Sequence, residues 1–197
     1  INYWRKKWGA RNFPFYFVQL SSFDPSHSNG LKGSNWAELR EAQELTLQLA
    51  NTGMAVSTDI GDADDIHPRN KQDAGLRLAA IALNKVYGKK NAYRGPSFIN
   101  MRPMANKIIV RFNPNGKGLL TKNNLPLKGF TIAGADKVFY PAEAMIQGNK
   151  VIVSSGQVPN PVTVRYAWKD DAGDANLYNK EGFPAPPFRT DNWEMLT

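Results

Sequence analysis

An α/β unit followed by an antiparallel β-sandwich is the fold class the sequence predicts, and three observations carry it. Two short apolar runs are separated by a helical pattern, and a second helical pattern follows an acidic loop. Beyond about residue 95, helical periodicity gives way to short β-branched and aromatic segments set between turn residues. This change of pattern divides the chain into residues 1–95 and 96–197 without a flexible linker, so the two parts are expected to share an interface.

Phe13 to Leu20 (FPFYFVQL) reads as a strand buried on both faces of a parallel sheet, with Pro14 near its start. Trp36 to Asn51 reads as a helix with Asn35 as N-cap, Glu38 three residues later and Gly53 closing it. Met54 to Thr58 forms the next strand. Asp59 to Asn70 (DIGDADDIHPRN) is a turn-rich acidic loop, and Lys71 to Tyr87 a second helix with Leu76, Ala79, Ala80, Leu83 and Val86 along its apolar face. Sheets of this rhythm place ligands at the carboxyl ends of their strands, which is where the acidic loop falls.

In the second part, strands are expected at Lys107 to Phe112, Gly129 to Ala133, Lys137 to Tyr140, Lys150 to Ser154 and Thr163 to Trp168. Gly148-Asn149 is a hairpin signal. The tail, Asn176 to Thr197, is Pro-rich yet carries Leu177, Tyr178, Phe183, Phe188 and Trp193, so it is expected to pack as ordered coil.

The 197 residues are 42% hydrophobic and 21% charged, a globular balance. No apolar run approaches the roughly 20 residues of a bilayer crossing, so no membrane span is expected. The absence of cysteine removes disulfides, thiolate metal sites and a cysteine nucleophile. The net charge of +8 is shared evenly between the two parts without a dense stripe, so no nucleic-acid partner is expected. The chain opens on Ile1, and Asn2 to Arg11 is a basic amphipathic stretch rather than a signal peptide, which predicts a piece of something longer.

His67 is the centre of chemical interest. It follows a strand, precedes a helix, and is biased toward extended geometry by Pro68. Asp64, three residues earlier, is placed to hydrogen-bond one ring nitrogen and leave the other as a base for a serine hydroxyl. Asp65 and Asp62 are alternatives, and the spacing does not choose among them. The bland reading makes His67 an exposed loop residue and the aspartates loop-solvating or helix-capping groups. A calcium or magnesium site on Asp59, Asp62, Asp64 and Asp65 fits no calcium-loop spacing, so neither metal nor cofactor is expected.

A nucleophile is harder to find. There is no G-x-S-x-G. Ser21 and Ser22, after the first strand, are the best internal candidates; the stretch Gly33-Ser34-Asn35 reads as helix capping and Ser154-Ser155-Gly156 as a turn. His27 lies in a polar loop as a solvated residue, and core packing is the expectation for the five tryptophans.

The assembled phrases resemble a known family. Trp4-Arg5, Pro14 to Leu20, Arg40 to Gln43, Asp59 to Asp62, Asp65 to Lys71 (DIHPRNK), Gly75 to Ala79, Gly129 to Gly134, Val164 to Trp168, Asn176 to Asn179 and Pro184 to Asp191 are similar to the later hydrolase part of the sialate O-acetylesterases. Those are SGNH-type serine hydrolases. The resemblance implies the C-terminal part of an SGNH-like three-layer sheet, and removal of acetyl groups from sugar hydroxyls, typically of sialic acid. It further implies a serine nucleophile with His67 matching the base and Asp64 the aspartate of D-x-x-H.

The family's nucleophile block, resembling Gly-Gln-Ser-Asn, has no counterpart here, so the resemblance implies that an N-terminal part of the same protein supplies it and that this chain alone is nearly inactive. A periplasmic, secreted or lysosomal setting is implied in the same way. The alternative reading is a non-catalytic β-sandwich module that binds glycan or protein through its loops.

Overall fold

The structure, a computed structural model, describes residues 1–10 and 12–194. The basic N-terminal stretch and the Pro-rich tail are therefore seen except for Arg11 and the last three residues, which lie outside the described set.

A short helix, α1 (Asn2–Lys7), leads into strand β1 (Phe15–Val18). Helix α2 (Asn35–Leu45) and a 3-10 turn connect it to β2 (Thr52–Ala55). The two strands are parallel, with Phe15 opposite Thr52 and Val18 opposite Ala55. Helix α3 (Lys71–Lys85) packs on both strands. Gly53 makes that approach possible, since a Cβ there would lie 2.5 Å from Ile81 and 2.9 Å from the Tyr16 ring.

Three expectations for this part are corrected. β1 is half-exposed rather than buried on both faces, because only β2 pairs with it among the described residues and its outer edge is open. The cap of α2 is Ser34, whose Oγ accepts from the Ala37 N–H at 2.9 Å; Asn35 is the first helical residue. The buried stripe of α3 runs through Arg77 and Ile81, whereas Leu76, Leu83 and Val86 are exposed. The helix is rotated this way because Ile81 fills the space over Gly53 and Arg77 reaches a buried carboxylate.

The second part is a sandwich of two four-stranded antiparallel sheets. One has the order β3-β4-β9-β8, built from β3 (Ser97–Met104), β4 (Lys107–Asn113), β8 (Glu143–Gln147) and β9 (Lys150–Ser154). The other has the order β12-β10-β6-β7, from β6 (Phe130–Ala133), β7 (Phe139–Pro141), β10 (Thr163–Tyr166) and β12 (Phe188–Arg189). A small two-stranded sheet pairs β5 (Leu119–Thr121) with β11 (Leu177–Asn179). The architecture is thus α/β followed by a β-sandwich.

Ile108, Val110, Phe112, Val151 and Val153 of the first sheet face Phe130, Ile132, Val164 and Tyr166 of the second across a continuous core. Phe188 closes it from the tail, its ring stacked on Phe98 at 4.9 Å and meeting Phe112, Phe130 and Tyr166. Gly148-Asn149 turns the β8–β9 hairpin, with Gly148 at φ 61°. Strand β3 escaped the sequence reading because Pro103 argues against a strand; it is an edge strand, where a missing N–H is tolerated.

The two parts are joined by a buried guanidinium. Arg40, fully buried on α2, donates to the carbonyls of Leu20, Ser21, Lys169 and Asp170 at 2.7 to 2.8 Å. One side chain thereby fixes the loop after β1 to the loop after β10. Ser22 strengthens the seam, donating to Thr58 O at 2.7 Å and accepting from the Ala172 N–H at 2.9 Å.

Candidate active site

The loops that follow β1 and β2 lie together at the carboxyl ends of the parallel pair. Ser57 Oγ donates to Gln19 O at 2.5 Å and lies 2.8 Å from Ser21 Oγ. Asp24 N donates to Ala63 O at 2.9 Å, and Asp62 N to Ser22 O at 3.2 Å. Gly61 is required at this crossing, because any Cβ would collide with the Ser22 backbone.

Each loop is shaped by aspartates bonding backbone two residues on. Asp62 Oδ1 accepts from Asp64 N at 3.0 Å, and Asp65 Oδ1 from His67 N at 2.9 Å. In the loop after β1, Asp24 accepts from the backbone and hydroxyls of both Ser26 and Ser28 and holds His27 at φ 50°. Those serine hydroxyls in first place hold the Asp24 carboxyl below its usual range.

This turn geometry sorts the sequence-derived candidates. His67 lies at the carboxyl end of the strand pair with its side chain 85% exposed, and its Nδ1 is 3.5 Å from Asp65 Oδ1. Asp64, three residues from His67, turns instead toward His27, whose Nε2 is 3.3 Å from Asp64 Oδ1. The two-residue Asx turns decide this, bringing position i+2 rather than i+3 onto the carboxylate. The backbone N–H of His67, ahead of the charges of His67 and Arg69, keeps the Asp65 carboxyl below its usual range. His27, read from the sequence as merely solvated, is therefore the neighbour of the site loop.

The internal serine candidates are occupied in scaffolding. Ser22 is buried with its Oγ used both ways, and Ser21 Oγ is tied to Ser57. Asp59, grouped by sequence with the other aspartates, points away from them. Its carboxylate receives Arg77 Nη1 and Nη2 at 2.6 and 2.7 Å and the Tyr178 hydroxyl at 2.7 Å. Burial pushes this carboxyl up, but the hydrogen bonds and charge of Arg77, the Tyr178 hydroxyl and Lys122 outweigh it and hold the carboxyl below its usual range. Burial and the Asp59 charge push the Tyr178 hydroxyl up, so it stays a donor. Among the described residues no group of three acidic or histidine side chains is placed to hold a metal ion.

A cleft of about 610 Å³ lies away from His67. Leu31, Lys32, Phe139, Tyr140, Trp168 and Trp193 are among the residues that form its wall, and neither His67 nor Asp65 does. His67 instead faces outward, with no described residue closing over it. Trp168 is buried as expected, but Trp4 and Trp8 are exposed, which corrects the core reading for both. Among the described residues no helix is long and apolar enough to cross a membrane.

A parallel pair with a histidine–carboxylate loop at its carboxyl ends and an appended sandwich defines part of an α/β protein, with the candidate site where such sheets place ligands. No family model matches the chain. It is 38% identical over 193 residues to the sialate O-acetylesterases of Mus musculus and Rattus norvegicus, covering 90% of this chain and 36% of each relative. The Homo sapiens sialate O-acetylesterase is 28% identical over 196 residues. A solved carbohydrate acetylesterase from Xanthomonas citri superposes with a TM-score of 0.91 at 43% identity, over 98% of this chain and 44% of that one. Over 90% of its length the chain is similar to sialate O-acetylesterases, and it spans about a third of the length of the curated relatives it matches.

Proposed function

We propose that this chain is the part of a carbohydrate O-acetylesterase that carries the catalytic base, His67, while a serine from an N-terminal part of the same protein carries the nucleophile. The observation that supports it above all is the placement of His67: at the carboxyl ends of two parallel strands, a carboxylate at Nδ1 and Nε2 open to a group from outside. Names of relatives that act on sialate and carbohydrate acetyl esters support the substrate class, an O-acetylated sugar such as an acetylated sialic acid. The open edge of β1, with the exposed Trp4 ring 5.5 Å from Phe15, supports a neighbouring segment that extends the sheet.

In this reading His67 Nε2 takes the serine proton as Oγ attacks the acetyl carbonyl carbon. The tetrahedral adduct expels the sugar oxygen, which receives that proton from the imidazolium. Water, deprotonated by the same nitrogen, then releases acetate and restores the serine. The Asp65 carboxylate, rather than Asp64, holds Nδ1 and stabilises the transient positive charge.

Acetate release from an acetylated sialoside tests the assignment, measured with the full-length protein, with its His67→Ala variant and with this chain. The full-length variant should lose about 10³-fold in kcat/KM, within the range of general-base removal, and the chain alone should be inactive. An unimpaired His67→Ala enzyme overturns the base role. Activity of the chain alone overturns the external serine, and an inert full-length protein that binds the sialoside favours the glycan-binding module.

A further inference from the structure

The register of the β3-β4-β9-β8 sheet sets scattered cations side by side on its outer face. Ile108, Val110, Phe112, Val151 and Val153 point into the core, so the alternate residues point out. One outward row runs across the four strands as Asn100, Arg111, Lys150 and Gln147. The next row is Arg102, Ile109, Ile152 and Met145, and the third is Met104, Lys107, Ser154 and Glu143. Neighbouring strands are about 4.8 Å apart, so Arg111 and Lys150 are adjacent like charges, with Arg102 on the next row and Lys107 on the one after it.

Directly opposed like charges destabilise a strand pair. None of these four cations makes an ion pair with an acidic side chain among the described residues, and Glu143 is the one acid in the three rows. Arg102, Arg111 and Lys150 are exposed. The amides of Asn100 and Gln147 flank the central pair as hydrogen-bond donors and acceptors. Ile109, Ile152 and Met145 supply an apolar strip beside it. The sequence hid this face, because the four cations come from positions 102, 107, 111 and 150 and only the sheet pairing collects them.

We propose that this sheet face binds an acidic polysaccharide, a glycan with a carboxylate on each sugar. Charge complementarity carries the assignment. Cations at strand spacing match an anion repeated once per sugar, the amides match its hydroxyls, and the apolar strip matches the C–H face of a pyranose ring. No aromatic side chain occurs in the three rows, so neither a neutral sugar nor an unstacked base has a ring to stack on. The site is independent of the esterase reading. It is a holding surface on the sandwich, built from residues outside the His67 loop.

Affinity electrophoresis and calorimetry of this chain with polygalacturonate, neutral dextran and a duplex DNA of matched charge test it. Polygalacturonate should bind at low salt and weaken as salt rises, and dextran should not bind. Arg111→Glu with Lys150→Glu should weaken polygalacturonate binding at least roughly tenfold, whereas Lys89→Glu with Lys90→Glu, the same charge change elsewhere, should alter it by about twofold or less. Arg111→Gln with Lys150→Gln keeps the test valid if charge reversal disturbs folding, and unchanged circular dichroism certifies each variant. Equal losses in the two reversal pairs, equal binding of dextran, no binding of polygalacturonate, or tighter binding of duplex DNA at the same salt would each overturn the proposal.

Discussion

Asp59 and Arg77 form a two-pronged buried ion pair, Nη1 to Oδ1 at 2.6 Å and Nη2 to Oδ2 at 2.7 Å, that locks the start of the site loop to helix α3. Arg77 also donates to Val56 O at 2.6 Å, and Tyr178 of β11 bonds the same carboxylate. The strand end, the helix and the tail thus meet on one anion. Breaking such a pair leaves an uncompensated buried charge, so Asp59→Asn should cost about 3 to 5 kcal/mol. For a chain of this length that corresponds to a melting temperature lower by roughly 6 to 20 °C.

The acid dependence of that variant follows from the same contact. A carboxyl held below its usual range stabilises the fold fully above the unfolded value near 4, and loses that contribution as pH falls through the lower folded value. Wild-type melting temperature should therefore fall on acidification below about pH 4, and Asp59→Asn, without this titration, should fall less steeply. Asp24 and Asp191, also held low, leave a residual slope in both. Identical acid slopes in melts of the two proteins would count against the coupling.

Tyr166 links the sandwich core to the tail by a single buried hydrogen bond. Its hydroxyl accepts from the Leu177 N–H at 2.9 Å, and burial pushes its ionisation up, so it remains neutral. Tyr166→Phe keeps the ring contacts with Phe130 and Phe188 but strands a backbone N–H. The expected loss is about 1 to 3 kcal/mol, read from the urea midpoint at unchanged slope.

Arg40 is a second seam residue whose chemistry is specific. Burial pushes its guanidinium down to about 10, against the opposing charges of Asp170 and Asp171, so it stays protonated at neutral pH. Four carbonyls from two loops depend on its planar fork. Arg40→Met should destabilise the chain by about 3 kcal/mol or more, and Arg40→Lys, with three donors, should recover only part of it. Amide exchange should show the loss at residues 20–22 and 169–172 before the sandwich core; uniform loss of protection would argue against a local seam role.

Much of this architecture was legible because it rests on local patterns. The parallel pair, both helices, the Gly148-Asn149 hairpin and the strand at Lys150 to Ser154 follow from periodicity and turn chemistry. What periodicity could not show is long-range pairing. The face of α3 was misread because an arginine is discounted as a core residue, yet Arg77 is buried by a carboxylate 18 residues away and a tyrosine hydroxyl on that same anion. His67 stood out by its position after a strand. Its carboxylate neighbour did not, since residues two and three apart are equally near until the turn type is known.

That ambiguity yields the sharpest test of the loop. In the full-length protein Asp65→Asn removes the charge beside His67 Nδ1, whereas Asp64→Asn removes the one beside His27. If Asp65 orients the base, its substitution should lower kcat/KM for acetate release at least roughly tenfold, and Asp65→Glu should restore part of it. Asp64→Asn should change the rate by about twofold or less, because an exposed histidine–carboxylate contact contributes little. Neither variant should shift the melting temperature by more than about 2 °C, since surface substitutions change stability little. The reverse ranking would transfer the orienting role to Asp64 and require the loop to rearrange when the serine-bearing segment is in place.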